Sequence, residues 1–212
     1  MMKRKKNRYT IAFLGTDGSG KSTIINAITP IIEKKTGLKV RYEHMRPNYL
    51  PSLGVAFGRR TREEEIAQGP VLDPHASKPS GFVGSLVRLI YYLADYTYGY
   101  HRKIYPSHDA VWIFDRYYYD LLIDQKRARI SLPRWIIKVF GKIVPVPDVI
   151  LCLGGEPERI FERKPETNLE EVTRQMNKLR NFCQKSENAY WIDTTVDFVT
   201  SVSDVLNAIK VQ

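Results

Sequence analysis

Residues 15–23 read Gly-Thr-Asp-Gly-Ser-Gly-Lys-Ser-Thr, directly after the apolar run Tyr9-Thr10-Ile11-Ala12-Phe13-Leu14. Thr23-Ile24-Ile25-Asn26-Ala27-Ile28 then continues with helical character. Strand, glycine-rich loop and helix in that order restrict the fold sharply. The pattern G-x-x-x-x-G-K-[ST] lets successive backbone N–H groups turn inward and delivers a phosphate chain to a helix N-terminus. Gly15, Asp17, Gly18, Ser19, Gly20, Lys21, Ser22 and Thr23 are therefore the candidate phosphate-binding residues. Lys21 supplies a mobile charge for the outer phosphates, and the Ser22 hydroxyl is a ligand type for Mg2+.

Around this motif, five apolar strand candidates, at 9–14, 38–44, 110–114, 149–153 and 190–192, alternate with helical segments. The helices are expected at 21–35, 84–104, 117–129, 133–140, 157–164, 169–188 and 201–209. Such alternation argues for a parallel sheet covered on both faces. Pro133 and Pro157 suit first helical positions, and Asn168 with Glu171 three residues later reads as a capping-box variant. The stretch 46–81 is expected to be mixed loop with a short helix near 61–68. With 212 residues and 43% hydrophobic content, one domain over 9–212 is the economical expectation, preceded by a basic arm at 1–8.

The net charge is +10, and five of the first eight residues are basic. Nucleic acid, an anionic membrane face or a multiply charged small substrate would each suit such a surplus. No nucleic-acid-binding module is legible, and no apolar stretch reaches the roughly 18 residues needed to span a bilayer. The basic start looks like the front of a secretion signal. Its apolar run passes straight into the phosphate loop, so no such signal is expected and a cytoplasmic protein is. Cys152 and Cys183 form no C-x-x-C pair and are expected to be buried, reduced thiols.

Two further segments bear on chemistry. Val111-Trp112-Ile113-Phe114-Asp115 is a buried strand ending in a carboxylate, followed by Arg116-Tyr117. Asp115 there is placed to hold Mg2+ opposite Ser22, or alternatively to cap a following helix. Asp17 is an unusual charge beside a polyphosphate, and Arg116 is its expected partner. Glu156-Pro157-Glu158-Arg159-Ile160-Phe161-Glu162-Arg163-Lys164 puts Arg159 and Arg163 on one helix face. They suit a lid that closes on a transferring phosphoryl group, or simple surface pairing with Glu158 and Glu162.

Together, Gly-x-Asp-Gly-x-Gly-Lys-Ser-Thr, Asp115-Arg116-Tyr117, the Arg159/Arg163 segment and the final Ile192-Asp193-Thr194 resemble the thymidylate kinase family over nearly the whole chain. The resemblance implies an α/β P-loop NTPase fold of nucleoside-monophosphate-kinase type. That fold is a three-layer α/β/α arrangement with a five-stranded parallel sheet and a helical lid at about 155–168. It further implies ATP with Mg2+, a small phosphoryl acceptor, catalytic roles for Lys21, Arg116, Arg159 and Arg163, and a homodimer through helices flanking the sheet. Metal handling falls to Ser22 and Asp115.

The acceptor side departs from the family pattern. Where the family carries an arginine in an Ala-Asp-Arg-x-Gln-like segment, this chain has Ala94-Asp95-Tyr96-Thr97-Tyr98. Asp120 stands where serine usually follows Asp-Arg-Tyr, Asp124 precedes Gln125 in place of tyrosine, and Arg46-Pro47 matches only part of Arg-Glu-Pro. Exchanging a guanidinium for a phenol at a phosphate contact is not neutral. Asp17, Arg46, Tyr96, Arg116, Asp120 and Gln125 are the substrate-binding candidates. The expected activity is phosphoryl transfer from ATP to a nucleoside monophosphate or related phosphorylated metabolite. A thymidine monophosphate kinase with a variant pocket and a kinase of a sugar or glycan precursor stay open, as does a nucleotide-binding regulatory protein. A guanine-reading switch is disfavoured, since Asn177-Lys178-Leu179-Arg180 lacks the needed aspartate.

Overall fold

The run Ile11-Ala12-Phe13-Leu14 is apolar toward both faces, and a strand of that kind needs cover on both sides. It lies in β1 (Arg8–Leu14), the middle strand of a five-stranded sheet ordered β2-β3-β1-β4-β5. The others are β2 (Lys39–His44), β3 (Ala110–Asp115), β4 (Val149–Gly154) and β5 (Ala189–Asp193), and every pairing is parallel. The structure, a computed structural model, describes residues 8–56, 58, 61, 63–64, 80–165 and 167–210. These fall into two compact units. One comprises Met1–Met45, Ser107–Tyr117 and Val146–Gln212, the other Arg46–Pro106 and Tyr118–Pro145.

The first unit holds the sheet. Residue parity decides which face each helix covers. Ile11, Phe13, Ile113 and Leu151 pack with Ile24, Ile28 and Ile32 of α1 (Lys21–Thr36) and with Val205 of α8 (Phe198–Ala208). Gly154 has the opposite parity to Leu151, and a Cβ there would meet Trp191 and, at 2.9 Å, the Met176 sulfur of α7 (Leu169–Gln184). The result is the three-layer α/β/α order read from the sequence. Each fully buried Ile or Leu contributes about 1.5–3 kcal/mol. β2 is an edge strand whose exposed Lys39, Arg41 and His44 discourage pairing with another chain. Cys152 and Cys183 are both buried thiols that form no disulfide.

In the second unit, α2 spans Leu53–Ala56, α3 Phe82–Ala94, α4 Asp120–Ile123 and α5 Arg134–Gly141. The helix expected over 84–104 begins at Phe82 and widens to a π-helix over Asp95–Ile104. The cause is local. Asp95 is fully buried and accepts from the Asn48, Tyr49 and Leu50 amides at 3.1, 2.9 and 2.8 Å, which draws that loop against the helix. Gly99 leaves the room: a Cβ there would stand 2.8 Å from the Tyr49 Cβ and 3.2 Å from the Pro47 Cβ.

The helix expected over 117–129 shrinks to Asp120–Ile123. Arg116 and Arg129 hold left-handed φ angles of 73° and 54°, and 125–130 runs as turns closed by Ala128 and Arg129 N–H bonds to Gln125 and Lys126. Asp115 therefore caps no helix. The last helix starts before 201, at Phe198, because Asp197 Oδ1 accepts the Thr200 N–H at 2.9 Å. Asn168 caps α7 as expected, accepting from Glu171 N–H at 2.8 Å, but the Glu171 carboxylate turns to Arg174 and not back to the cap. Pro157 opens α6 (Pro157–Arg163), while Pro133 is the residue before α5. Arg8 belongs to β1. Residues 1–7 of the basic arm, and the short helix expected near 61–68 apart from Thr61, Glu63 and Glu64, lie outside the described residues.

Candidate active site

Parallel register brings the key segments of the first unit together at the carboxyl ends of β1 and β3, where open α/β sheets bind ligands. Phe13 pairs with Asp115, and the next amide, Arg116 N–H, donates to the Phe13 carbonyl at 2.8 Å. Two residues after Phe13 the phosphate loop begins. It enters α1 through Gly20, and no acidic residue occupies the first helical turn, so the N-terminal amides keep their affinity for anions. Gly18 has φ 80°, and a Cβ there would come 2.5 Å from the Ile160 carbonyl oxygen of α6. The loop thus rests on α6, and only glycine fits both the angle and the gap.

Lys21 is buried and folds back over its own loop. Its ammonium donates to the Gly15 and Thr16 carbonyls at 2.9 and 2.7 Å, with Ser19 Oγ at 3.4 Å. Ser22 and Thr23 are exposed beside it, while Thr16 Oγ1 is buried without a hydrogen-bond partner. Arg116, 4% exposed, donates to Asp17 Oδ1 at 2.8 Å and to the Gly15 carbonyl at 3.2 Å. The pairing of Asp17 with Arg116 is thus a feature of the structure.

Asp115 Oδ2 accepts the Tyr42 hydroxyl at 2.9 Å and lies 3.9 Å from His44 Nδ1, whereas buried Oδ1 has no hydrogen-bond partner. Burial pushes this carboxyl up, but neighbouring His44, the Lys21 charge, the Tyr42 hydroxyl and Arg116 outweigh it and hold the carboxyl down at about 2. Burial, reinforced by the Asp115 charge, raises the Tyr42 hydroxyl, which therefore stays a donor. A charged carboxylate with one unsatisfied oxygen fits a hard cation. Among the described residues no group of three His, Cys, Asp or Glu is placed to cage a metal. Mg2+ asks for less, one or two protein oxygens with the rest from phosphates and water. Asp115 and Ser22 match that requirement.

The α6 arginines are docked on the loop between β5 and α8. Arg159 donates to the Thr195 carbonyl at 2.9 Å and pairs with Glu156 at 2.7 Å; Arg163 donates to the Thr194 carbonyl at 2.8 Å. Glu158 and Glu162, the partners considered from the sequence, are not the ones Arg159 takes. That loop is itself fixed: Asp193 Oδ1 accepts from the Thr195 amide and hydroxyl at 2.8 and 2.6 Å.

The remaining sequence-derived residues lie in the second unit. Arg46 donates to Asp95 Oδ2 at 2.9 Å, with its guanidinium 5.4 Å from the Tyr92 ring centre. Tyr96 is buried with its ring edge-on to Tyr118 at 5.8 Å. Asp120 is buried, and the Gln125 side-chain oxygen accepts the Leu132 N–H at 3.1 Å. Sequence reasoning missed Tyr42 and His44, whose only signal is two-residue spacing on a strand in register with β3. It also missed Asp95 as an organising carboxylate, legible only as an acid inside an apolar helix.

No family model and no curated protein matches the chain. Among solved structures, thymidylate kinase from Ehrlichia chaffeensis is similar over 97% of this chain and 98% of that one, with TM-score 0.59 and 18% identity. The likeness is one of fold. It shows the fold alone, a five-stranded parallel sheet with flanking helices as described above.

Proposed function

We propose that the protein is an ATP- and Mg2+-dependent phosphotransferase that moves the γ-phosphate to a small acceptor, a nucleoside monophosphate or related phosphorylated metabolite. The observation that carries this reading is the phosphate loop set beside Asp115, a charged carboxylate with one buried oxygen unsatisfied. The fold neighbour's name, a thymidylate kinase, supports it.

In this reading the loop amides and the N-terminus of α1 bind the phosphate chain, and Lys21 turns its ammonium to the outer phosphates. Ser22 and Asp115 hold Mg2+, which when bound neutralises phosphate charge. Tyr42 keeps the Asp115 carboxylate oriented. Asp17 orients Arg116, whose permanent charge meets the acceptor's anion. Arg159 and Arg163 stabilise the charge that builds on the transferring group. The protein does little covalent work, and its contribution is positioning and electrostatics.

ADP release from ATP–Mg2+ with a panel of nucleoside monophosphates, nucleosides, sugars and sugar phosphates tests the proposal, with Lys21→Ala as control. One acceptor giving Lys21-dependent turnover supports it and names the substrate. ADP release that no acceptor stimulates, or that Lys21→Ala leaves unchanged, sinks it.

A further inference from the structure

The exposed side of α5 carries two stripes at helical spacing. Trp135, Val139 and Ile143, each four residues from the next, are 65%, 54% and 58% exposed. Arg134, Lys138 and Lys142 run beside them, one position earlier, and are also exposed. The helix proper ends at Gly141, but the Lys142 and Ile143 amides donate to the Val139 and Phe140 carbonyls at 3.2 Å and prolong the turn. These i-to-i+3 bonds tighten the last turn, and Lys142 and Ile143 follow the helix as exposed residues just past its end. The core side of the same helix is already supplied by buried Ile136 and Ile137. Trp135, Val139 and Ile143 form a second apolar face, directed outward.

The surrounding chain is of one sign. Residues 125–147 contain Lys126, Arg127, Arg129, Arg134, Lys138 and Lys142 and no Asp or Glu. Single exposed apolar residues need no explanation. Three in line, with three cations alongside, have the composition of a helix lying in a membrane interface. There an indole sits at headgroup level, aliphatic side chains reach the acyl boundary, and Lys and Arg meet lipid phosphates. Nucleic acid would satisfy the cations but leave Val139 and Ile143 in water, since backbone contacts and base stacking use neither.

We propose that α5 docks the protein on the surface of an anionic phospholipid bilayer. The contact is peripheral, and no helix among the described residues is long and apolar enough to cross a membrane.

Co-sedimentation of the full chain with vesicles tests this, comparing phosphatidylcholine alone with a mixture containing about 30 mol % phosphatidylglycerol. The protein is expected to bind the mixed vesicles, bind phosphatidylcholine little, and release as salt rises. Replacing Trp135, Val139 and Ile143 together by Ser is expected to lower partitioning at least roughly tenfold. Lys138→Glu with Lys142→Glu is expected to do about the same. Tryptophan emission should shift to the blue on mixed vesicles, and Trp135→Phe should lose the shift. Unchanged thermal unfolding confirms that the variants fold. Absence of wild-type binding to anionic vesicles overturns the proposal. Vesicle binding that survives the triple Ser variant also overturns it and credits the basic N-terminal residues. Tighter binding to a DNA duplex than to vesicles, lost on charge reversal but not in the Ser variant, overturns it in favour of nucleic acid.

Discussion

Arg116 reaches from the residue after β3 to Asp17 inside the phosphate loop, a 2.8 Å ion pair in which the arginine is buried and the carboxylate half-buried. The left-handed backbone at Arg116, φ 73°, aims the guanidinium back over the Gly15 carbonyl. With Asn at position 17 the cation loses its counter-charge and its direction. Asp17→Asn is expected to lower turnover about 10- to 100-fold while nucleotide affinity changes little. Steady-state kinetics with an ATP-analogue titration checks it, and unchanged turnover would remove Asp17 from the mechanism.

Arg163 rests on the Thr194 carbonyl, a contact that a phosphoryl group of higher charge density can replace. Arg163→Ala is expected to keep ATP binding and to lose roughly 10³-fold in rate, by analogy with arginines that stabilise phosphoryl transfer. Wild-type turnover would return the residue to a purely structural role.

Gly18 combines φ 80° with an Ile160 carbonyl 2.5 Å from any added Cβ. Gly18→Ala has to strain the loop and displace α6. We expect a loss of at least about 1–2 kcal/mol in unfolding free energy, with phosphate binding weakened in parallel. Urea unfolding and nucleotide titration of the same variant read both effects.

Asp95 is fully buried, with Arg46 and three backbone amides around it. Asp95→Ala leaves Arg46 without its carboxylate and three donors without an acceptor. The expected cost is about 3–5 kcal/mol, measured by urea unfolding. Arg46→Met, which removes the partner charge but keeps much of the stem, separates the charge pairing from the amide contacts.

Asp115 carries a pH signature. Its carboxyl is held at about 2 in the folded protein, below the roughly 3.9 of an unfolded chain. A depressed acid stabilises above its unfolded value and ceases to do so as pH falls through its folded one. In a chelating buffer, stability should therefore drop by on the order of 2 kcal/mol between about pH 4 and pH 2. Asp115→Asn should flatten that part of the profile, and a slope identical to wild type would refute the assignment.

The sheet and the phosphate loop were legible because their signals are local and continuous. A buried parallel strand is an apolar run, and the loop is a contiguous motif. All five strands fall within a residue or so of their expected bounds. What escaped depends on tertiary partners. The π-helix at Asp95 exists because a distant loop donates three amides to it, and α4 stops at Ile123 because the Asp124 backbone, φ −138° and ψ 89°, leaves the helical region, which propensity does not encode. Tyr42 and His44 meet Asp115 only through strand register, and Thr194 and Thr195 meet the α6 arginines through backbone carbonyls, which carry no side-chain signature. Composition showed the charge surplus, but only exposure on α5 separates its outward apolar stripe from the core stripe beside it.

Lys21, finally, is not an idle charge. Its ammonium already has two carbonyl acceptors, at 2.9 and 2.7 Å. An arriving anion is competing with a satisfied intramolecular state, so the lysine sets a threshold as well as an attraction. An isolated carboxylate or a dilute inorganic ion offers little beyond what Gly15 and Thr16 provide. In the proposed reaction a chain of phosphates, bound at once by the loop amides, would exceed that threshold, and the lysine folded over its own loop would act as a filter against small anions.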